Sequence, residues 1–108
     1  MEIINVTQEL YAASKRLGKS ADALFGLGKD KAETERIYRA ELAKEMFKLR
    51  QDKVPVTLIP DMAKGNVSKL LFDRDLAETQ FQAGIKAADA IKVQVSALQS
   101  ILKLQTDL

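Results

Sequence analysis

Apolar side chains in the last third of the chain recur in alternating steps of three and four residues between residues 67 and 105. Two rows share this spacing: Leu70, Ala77, Gly84, Ile91, Leu98 and Gln105 form one, and Val67, Arg74, Phe81, Ala88, Val95 and Leu102 form the other. The spacing gathers both rows into one stripe along a helix, as knobs-into-holes packing requires. The pattern therefore predicts a long helix over residues 66–104, which Asn66 can cap after a left-handed Gly65.

The same spacing upstream predicts a second long helix over residues 20–52. Its rows are Phe25, Ala32, Arg39, Met46 and Gly28, Glu35, Leu42, Leu49, flanked by Leu24, Leu27 and Tyr38. Because the connection to the next helix is short, the two helices are expected to form an antiparallel, coiled-coil-like hairpin. A further stripe at Ile3, Val6, Leu10, Ala13 and Leu17 predicts a short N-terminal helix over residues 1–17, packed against the C-terminal half. Whether residues 18–20 break or bend the helix is left open.

The connection, residues 53–65, holds both prolines of the chain. Pro55 pushes the residue before it towards extended geometry and so ends the second helix. Thr57 can cap a short helical turn over residues 57–64, in which the early Pro60 loses little or no intrahelical hydrogen bond. Three apolar residues of this segment, Val56, Leu58 and Ile59, are predicted to fold over the hairpin end as a plug. The alternative is that they form an exposed docking surface.

A second stripe begins halfway along the last helix. Its members are Ala83, Ala87, Ala90, Gln94, Ala97, Ile101, Leu104 and Leu108. Its small side chains would let a neighbouring helix approach closely. The stripe predicts a homodimer or a higher homo-oligomer, in which two hairpins associate.

Composition removes several classes of chemistry. The 108 residues are enough for a single helical domain, and none of them is cysteine or histidine. The chain therefore lacks thiol nucleophiles, disulfides and the usual side chain for proton transfer near neutral pH. We expect a protein that is not an enzyme and that uses no cofactor and no metal. No apolar run is long enough to span a bilayer and the first residues do not resemble a secretion signal, so the expected location is the cytoplasm, away from membranes.

Several charged residues occupy predicted seam positions, where leucine would pack better. We predict ion pairs between the two helices that join Arg74 to Glu41 or Glu45, and Arg39 to Glu78 or Glu35. Such pairs would set the register of the hairpin, because a slipped pairing would leave a desolvated charge without its partner.

A basic cluster surrounds the predicted hairpin end. It consists of Lys44, Lys48, Arg50, Lys53, Lys64 and Lys69. Helix, short turn and helix in this order could be mistaken for a DNA-reading motif. However, Asp73 and Asp75 follow at once on the supposed recognition helix and would repel phosphates. Binding of nucleic acid is therefore the alternative interpretation.

The segments "KAETERIYRAELAKE", "LRQDKVPVTLIPDMAKGNVSKLLFDRDLAE" and "VSALQSILK" together resemble a group of small helical proteins encoded early by phages and prophages of Gram-positive bacteria. The resemblance covers most of the chain from about residue 20, and its motifs are patterns of helix and turn. It implies a setting in which small proteins commonly act by binding host or phage proteins of replication, transcription or defence. It carries over no functional residues.

The sequence thus predicts an all-α, non-catalytic protein that binds another protein through its hairpin end. The predicted contact residues are Val56, Leu58, Ile59, Met62, Lys48, Lys53, Lys64 and Lys69. An apolar tip would supply the anchor and a basic rim would steer the partner. Besides nucleic-acid binding, a structural role in an assembly is a further alternative.

Overall fold

The computed structural model describes residues 2–107, and these residues form three helices and no strand. The helices are α1 (Ile3–Gln51), α2 (Ile59–Asn66) and α3 (Ser68–Thr106). The two long helices pack against each other, which confirms the predicted all-α hairpin. None of the described helices is long and apolar enough to cross a membrane.

Contacts divide the chain into two compact units. The terminal unit combines Met1–Gly26 with Gln82–Leu108, and the hairpin-end unit is Leu27–Phe81. Each unit contains a segment of α1 and a segment of α3, and the hairpin-end unit also contains α2.

The core of the terminal unit joins the beginning of α1 to the end of α3. Val6, Ala13 and Leu98 are buried, and the half-buried residues Leu10, Val95 and Leu102 pack around them. Arg16 adds a hydrogen bond of 2.6 Å from its Nη2 to Oε1 of Gln94 on the facing helix. The predicted packing of the N-terminal stripe against the C-terminal half is therefore present for Val6, Leu10 and Ala13, whereas Ile3, its first predicted member, is exposed.

The N-terminal stripe belongs to α1 and is not a separate helix. Residues 18–20 neither end the helix nor interrupt its hydrogen bonding pattern. Gly18 is exposed, with nothing near the position that a Cβ would occupy, so it costs the helix only about 1 kcal/mol relative to alanine. Packing of Val6 and Ala13 on α3 supports the helix on the N-terminal side of this weak point.

The α3 pattern is correct at every described position: both predicted rows are buried or half-buried from Val67 to Gln105. One predicted row of α1 is wrong. Phe25 is 80% exposed, and Ala32, Arg39 and Met46 are exposed as well. The buried or half-buried positions one residue earlier are Leu10, Leu17, Leu24, Lys31, Tyr38 and Glu45. Since α1 does not break at residues 18–20, the phase set by Leu10 and Leu17 simply continues, and a one-residue shift turns a side chain by about 100° on a helix.

The end of α1 is closed by a Schellman motif. Lys53 has a left-handed backbone with φ of 61°, and its N–H donates to the carbonyl of Arg50 at 3.1 Å. The N–H of Val54 donates to the carbonyl of Leu49, also at 3.1 Å. Val54 packs on the cluster that contains Leu49, which is the apolar contact that accompanies this motif. Lys53, predicted as a contact residue, thus has a structural role at the end of α1, and its contact role stays a prediction.

The start and end of α2 differ from the predicted caps. Leu58 precedes the helix and makes no side-chain cap hydrogen bond, so Thr57 is not the cap. Pro60 lies near the N-terminus, as predicted. Gly65 does not adopt a left-handed conformation, and Asn66 is the last residue of α2 and not the N-cap of α3. The side-chain amide of Asn66 instead donates to Oε1 of Glu45 at 2.7 Å, which bonds α2 to α1 and explains why it is not used as a cap.

Candidate functional site

An apolar groove opens at the surface of the hairpin-end unit, between the last turns of α1 and the start of α2. Its volume is about 430 Å³. The residues that line this hairpin-end groove are Ala43, Met46, Phe47, Arg50, Val56, Ile59 and Pro60. Arg50 is the one charged member of this lining, so the groove combines a continuous apolar wall with a single cation.

The groove stands on a packed core. Ile59 is buried, and together with Leu49 and Ala63 it forms the core of this unit, with Leu42 and Val54 packed against it. Groove and core share Ile59, which anchors the groove in the packed core, whereas the other six lining residues are exposed.

The exposed rim of the groove is strongly apolar. Phe47 is 63% exposed and Val56 is 72% exposed, and both line the groove. Isolated exposed apolar residues are ordinary on protein surfaces, whereas adjacent ones around a cavity mark binding surfaces. This cluster of an aromatic and a branched side chain at one opening is the feature that singles out the hairpin end.

The predicted basic cluster lies in the same unit as the groove, and one of its members, Arg50, lines the groove. Lys48, Arg50, Lys53 and Lys64 are exposed, and none forms an ion pair with another residue in the range 2–107. The two outer members of the predicted basic cluster differ, because Lys44 pairs with Glu41 at 3.1 Å and Lys69 pairs with Asp73 at 3.2 Å. Within the predicted basic cluster, four of the six cations are therefore unpaired among residues 2–107.

The structure divides the predicted contact residues between two roles. Ile59 is the plug, because it is buried against Leu49 and Ala63. Val56 lines the groove, whereas Leu58 and Met62 are exposed outside its lining. The predicted plug is therefore confirmed for Ile59 and wrong for Val56 and Leu58, which are exposed, and the alternative of a docking surface stays a prediction.

Sequence reasoning missed three members of the groove on α1. Met46 was assigned to the seam, and Ala43 and Phe47 were assigned to no feature. A signal was available: the continuous phase of Leu10 and Leu17 places residues 45 and 49 in the seam, which leaves an aromatic residue at 47 with no place in the core.

A second, larger groove runs along the seam of the same unit. Its volume is about 830 Å³, and its lining is Gly28, Lys31, Ala32, Glu35, Arg74, Asp75, Glu78 and Phe81. Here the charges compensate one another. Lys31 pairs with Glu78 at 3.0 Å, and the Arg74 Nε lies 3.5 Å from Glu35. Larger size alone does not make this groove the better site, because its polar groups are already satisfied.

The cross-helix ion pairs of the seam are real but join different partners from those predicted. Arg74 pairs with Glu35 and Asp75, and not with Glu41 or Glu45. Its guanidinium also lies over the ring of Tyr38, 4.5 Å from the ring centre. Arg39 pairs with Glu35, one of its two predicted partners, but along α1 and not between helices.

The reason for the shifted partners lies in α2. An ion pair of Arg74 with Glu41 or Glu45 requires Val67 and Leu70 to lie beside Leu49, but Ile59 and Ala63 of α2 occupy that place. Asn66 then lies beside Glu45, so α3 begins about one turn closer to the N-terminus of α1 than those ion pairs require. Glu41 pairs with Lys44, and Glu45 accepts the bond from Asn66.

One exposed pair shifts its titration. Arg36 donates hydrogen bonds to both carboxylate oxygens of Glu33. These bonds, and then the positive charge of the guanidinium, lower the pKa of Glu33 and correspondingly raise the pKa of Arg36. The pair lies one turn apart on the surface of α1, and both side chains are exposed, so it stabilises the helix and indicates no chemistry.

The second stripe of α3 is exposed at all its described members, from Ala83 to Leu104. Leu108 lies outside the described residues. The predicted association of two chains through this stripe stays a prediction.

Comparisons with known proteins return no relative: no family model, no curated protein and no solved structure matches the chain. Among residues 2–107, no three aspartate or glutamate side chains lie close enough together to hold a metal ion. The candidate site is therefore defined by its own geometry alone.

Proposed function

We propose that this chain is a non-catalytic protein-binding protein, and that its partner inserts an apolar side chain into the hairpin-end groove. The observation that carries the proposal is the apolar wall around Phe47 and Val56, fixed from beneath by Ile59. Aromatic anchors beside a preformed pocket are the usual centres of binding energy in protein interfaces.

The resemblance to early phage proteins favours a host or phage protein as the partner, in the replication, transcription or defence machinery. In that setting the protein modulates its partner by occupying a surface. The groove supports this role because it offers shape and apolar area, the two properties that a non-catalytic binder needs.

Nucleic-acid binding is less well supported than protein binding. Two of the six cations in the basic cluster are paired with carboxylates of their own helices. Each of those pairs would have to be broken or shared when a phosphate binds. Binding to nucleic acid would also weaken steeply as salt rises, whereas an apolar interface responds little.

The test compares two phenylalanines that are equally exposed in the same unit. Phe47 lines the groove and is 63% exposed, whereas Phe72 lies outside the groove on α3 and is 64% exposed. The full chain, Phe47→Ser and Phe72→Ser would each be used for affinity capture from infected host lysate, followed by calorimetry with the purified partner. We expect Phe47→Ser to weaken binding at least about tenfold, as the loss of an interface anchor does.

Phe72→Ser is expected to bind like the natural chain, since it removes the same chemistry from another surface. Equal binding by all three proteins would refute the hairpin-end groove as the contact surface. The groove would also be refuted if no captured protein depended on Phe47 for its binding. Circular dichroism and urea unfolding would check that both variants retain the helical fold.

A further inference from the structure

Arg50 and the three lysines around the hairpin-end groove describe the chemistry of the partner, given that the proposed function holds. Arg50 lies in the groove wall, and Lys48, Lys53 and Lys64 lie on the adjoining turns without a partner among residues 2–107. The segment from Met46 to Gly65 contains these four cations and only two carboxylates, Asp52 and Asp61. A surface of this kind attracts a partner whose apolar anchor is flanked by carboxylates.

The lining of the groove also restricts the backbone of the partner. Apart from Arg50, the wall has no side-chain hydrogen bond donor, and its one side-chain acceptor is the weak thioether sulfur of Met46. The described residues form no strand, so the site has no sheet edge to which an extended peptide could add. A segment that enters such a wall must satisfy its own backbone hydrogen bonds, and an α-helix does this.

Two exposed methionines indicate that this surface can bind helices of different sequence and is not restricted to one. Met46 lines the groove, and Met62 lies on the outer side of α2. Methionine is unbranched and polarizable, so it adapts to apolar side chains of different shape. The site therefore suits leucine, isoleucine or phenylalanine anchors spaced one turn apart.

A second copy of this chain is disfavoured as the occupant if it binds through its own hairpin end. Two hairpin ends facing each other would bring two sets of unpaired cations together, and like charges across an interface lower affinity. The charge pattern thus selects a different protein with the opposite sign.

We propose that the hairpin-end groove binds an acidic amphipathic helix, with two apolar side chains one turn apart in the groove and its carboxylates against Arg50, Lys48, Lys53 and Lys64. The helix lies with its apolar face on Phe47 and Val56. Arg50 forms the central charge contact, because it is the one cation that lines the groove and a guanidinium can take a carboxylate with two parallel hydrogen bonds.

Synthetic peptides test this inference directly. The probe is a fluorescent helical peptide with two leucines four residues apart and glutamates at the flanking positions. One comparison peptide replaces the glutamates with lysines, and another replaces the leucines with serines. Fluorescence anisotropy with the full chain measures affinity at low and at physiological salt. We expect the acidic leucine peptide to bind at least about tenfold more tightly than either comparison peptide.

Exchanging the charge of Arg50 gives the sharpest test. Arg50→Glu is expected to bind the acidic peptide more weakly, and the lysine peptide more tightly, than the natural chain does. Phe47→Ser is expected to bind both peptides more weakly. Phe72→Ser serves as the matched control and should bind the acidic peptide like the natural chain. Urea unfolding of each variant would confirm that its fold is intact.

The outcomes separate this inference from the proposed function. If the acidic peptide does not bind, or if Arg50→Glu leaves the charge preference unchanged, the acidic helix is refuted. The proposed function survives that result only if Phe47→Ser still abolishes binding of the captured partner. Self-association that requires Phe47 would make a second copy the occupant and would also overturn the inference.

Discussion

Replacing Lys53 with glycine is expected to stabilise the protein, although it removes a side chain and a charge. Lys53 closes α1 in a left-handed conformation with φ of 61°, and among residues 2–107 it is the one residue other than glycine with a positive φ. This conformation costs an L-residue roughly 1–2 kcal/mol because Cβ approaches a carbonyl oxygen. Glycine avoids this clash, and for that reason it is the commonest residue at this position of a Schellman motif.

The net gain is smaller than the relieved strain. Glycine also has greater freedom in the unfolded chain, which offsets roughly 0.5–1 kcal/mol of the gain. The free energy of unfolding should therefore rise by about 0.5–1 kcal/mol. With a urea dependence near 2 kcal/mol/M, the midpoint of urea unfolding should rise by about 0.4 M.

Two control variants isolate the backbone effect. Lys53→Ala removes the same charge but keeps the strained conformation, so its stability should stay within about 0.5 kcal/mol of the natural chain. Lys48→Gly places glycine in the last turns of α1 and should destabilise by about 1 kcal/mol. A Lys53→Gly variant less stable than the natural chain would refute the reasoning. Equal gains from Lys53→Gly and Lys53→Ala would show that charge, not backbone strain, is responsible.

Three further expectations concern the seam, the glycines and the second stripe. Arg74→Ala should lower the free energy of unfolding by about 1–2 kcal/mol, because its half-buried guanidinium stacks on Tyr38 and pairs with Glu35. Arg39→Ala, which loses an exposed pair with the same Glu35, should stay within about 0.5 kcal/mol, and equal losses in urea unfolding would contradict this assignment. Gly18→Ala should raise the free energy of unfolding by about 0.5–1 kcal/mol. Gly28→Ala should raise it less, or lower it, because the added Cβ would lie 3.3 Å from Cε2 of Phe81. Equal shifts of the two melting temperatures would contradict this difference. Analytical ultracentrifugation is expected to show that the natural chain is a dimer. Ala90→Glu, in the second stripe, should dissociate this dimer, whereas Gln99→Glu, on another face of α3, should leave it intact. If neither variant changes the measured mass, the stripe is refuted as the interface.

How far sequence predicts this fold differs between the two long helices. Every described seam position of α3 was correct because its pattern runs unbroken from Val67 to Gln105, so one choice of phase decides all positions. On α1 the glycine at residue 18 suggested a new helix, and a new helix allows a new phase. The packing of Val6 and Leu10 on α3 outweighs that weak local signal, and the older phase is the correct one.

The register of the hairpin was not predictable from charge patterns alone. Glu41 lies between one and two turns from both Glu35 and Glu45 on α1, so a slide of one or two turns moves Arg74 from one carboxylate to the next. The choice is made by α2, which fills the space beside Leu49 and shifts the start of α3. Exposed ion pairs contribute little energy, so they follow the register set by apolar packing more than they fix it.

The hairpin end shows why one short apolar segment contains both buried and exposed apolar residues. Apolar residues of α2 and its start fall into two pairs at helical spacing, Ile59 with Ala63 and Leu58 with Met62. A helix of two turns can turn only one of these pairs towards the core, and burial shows that it is the first. The second pair, like Val56 and Phe47, must then remain exposed. Truncating Ile59 should therefore lower stability, whereas truncating Phe47 should lower binding and leave the fold in place.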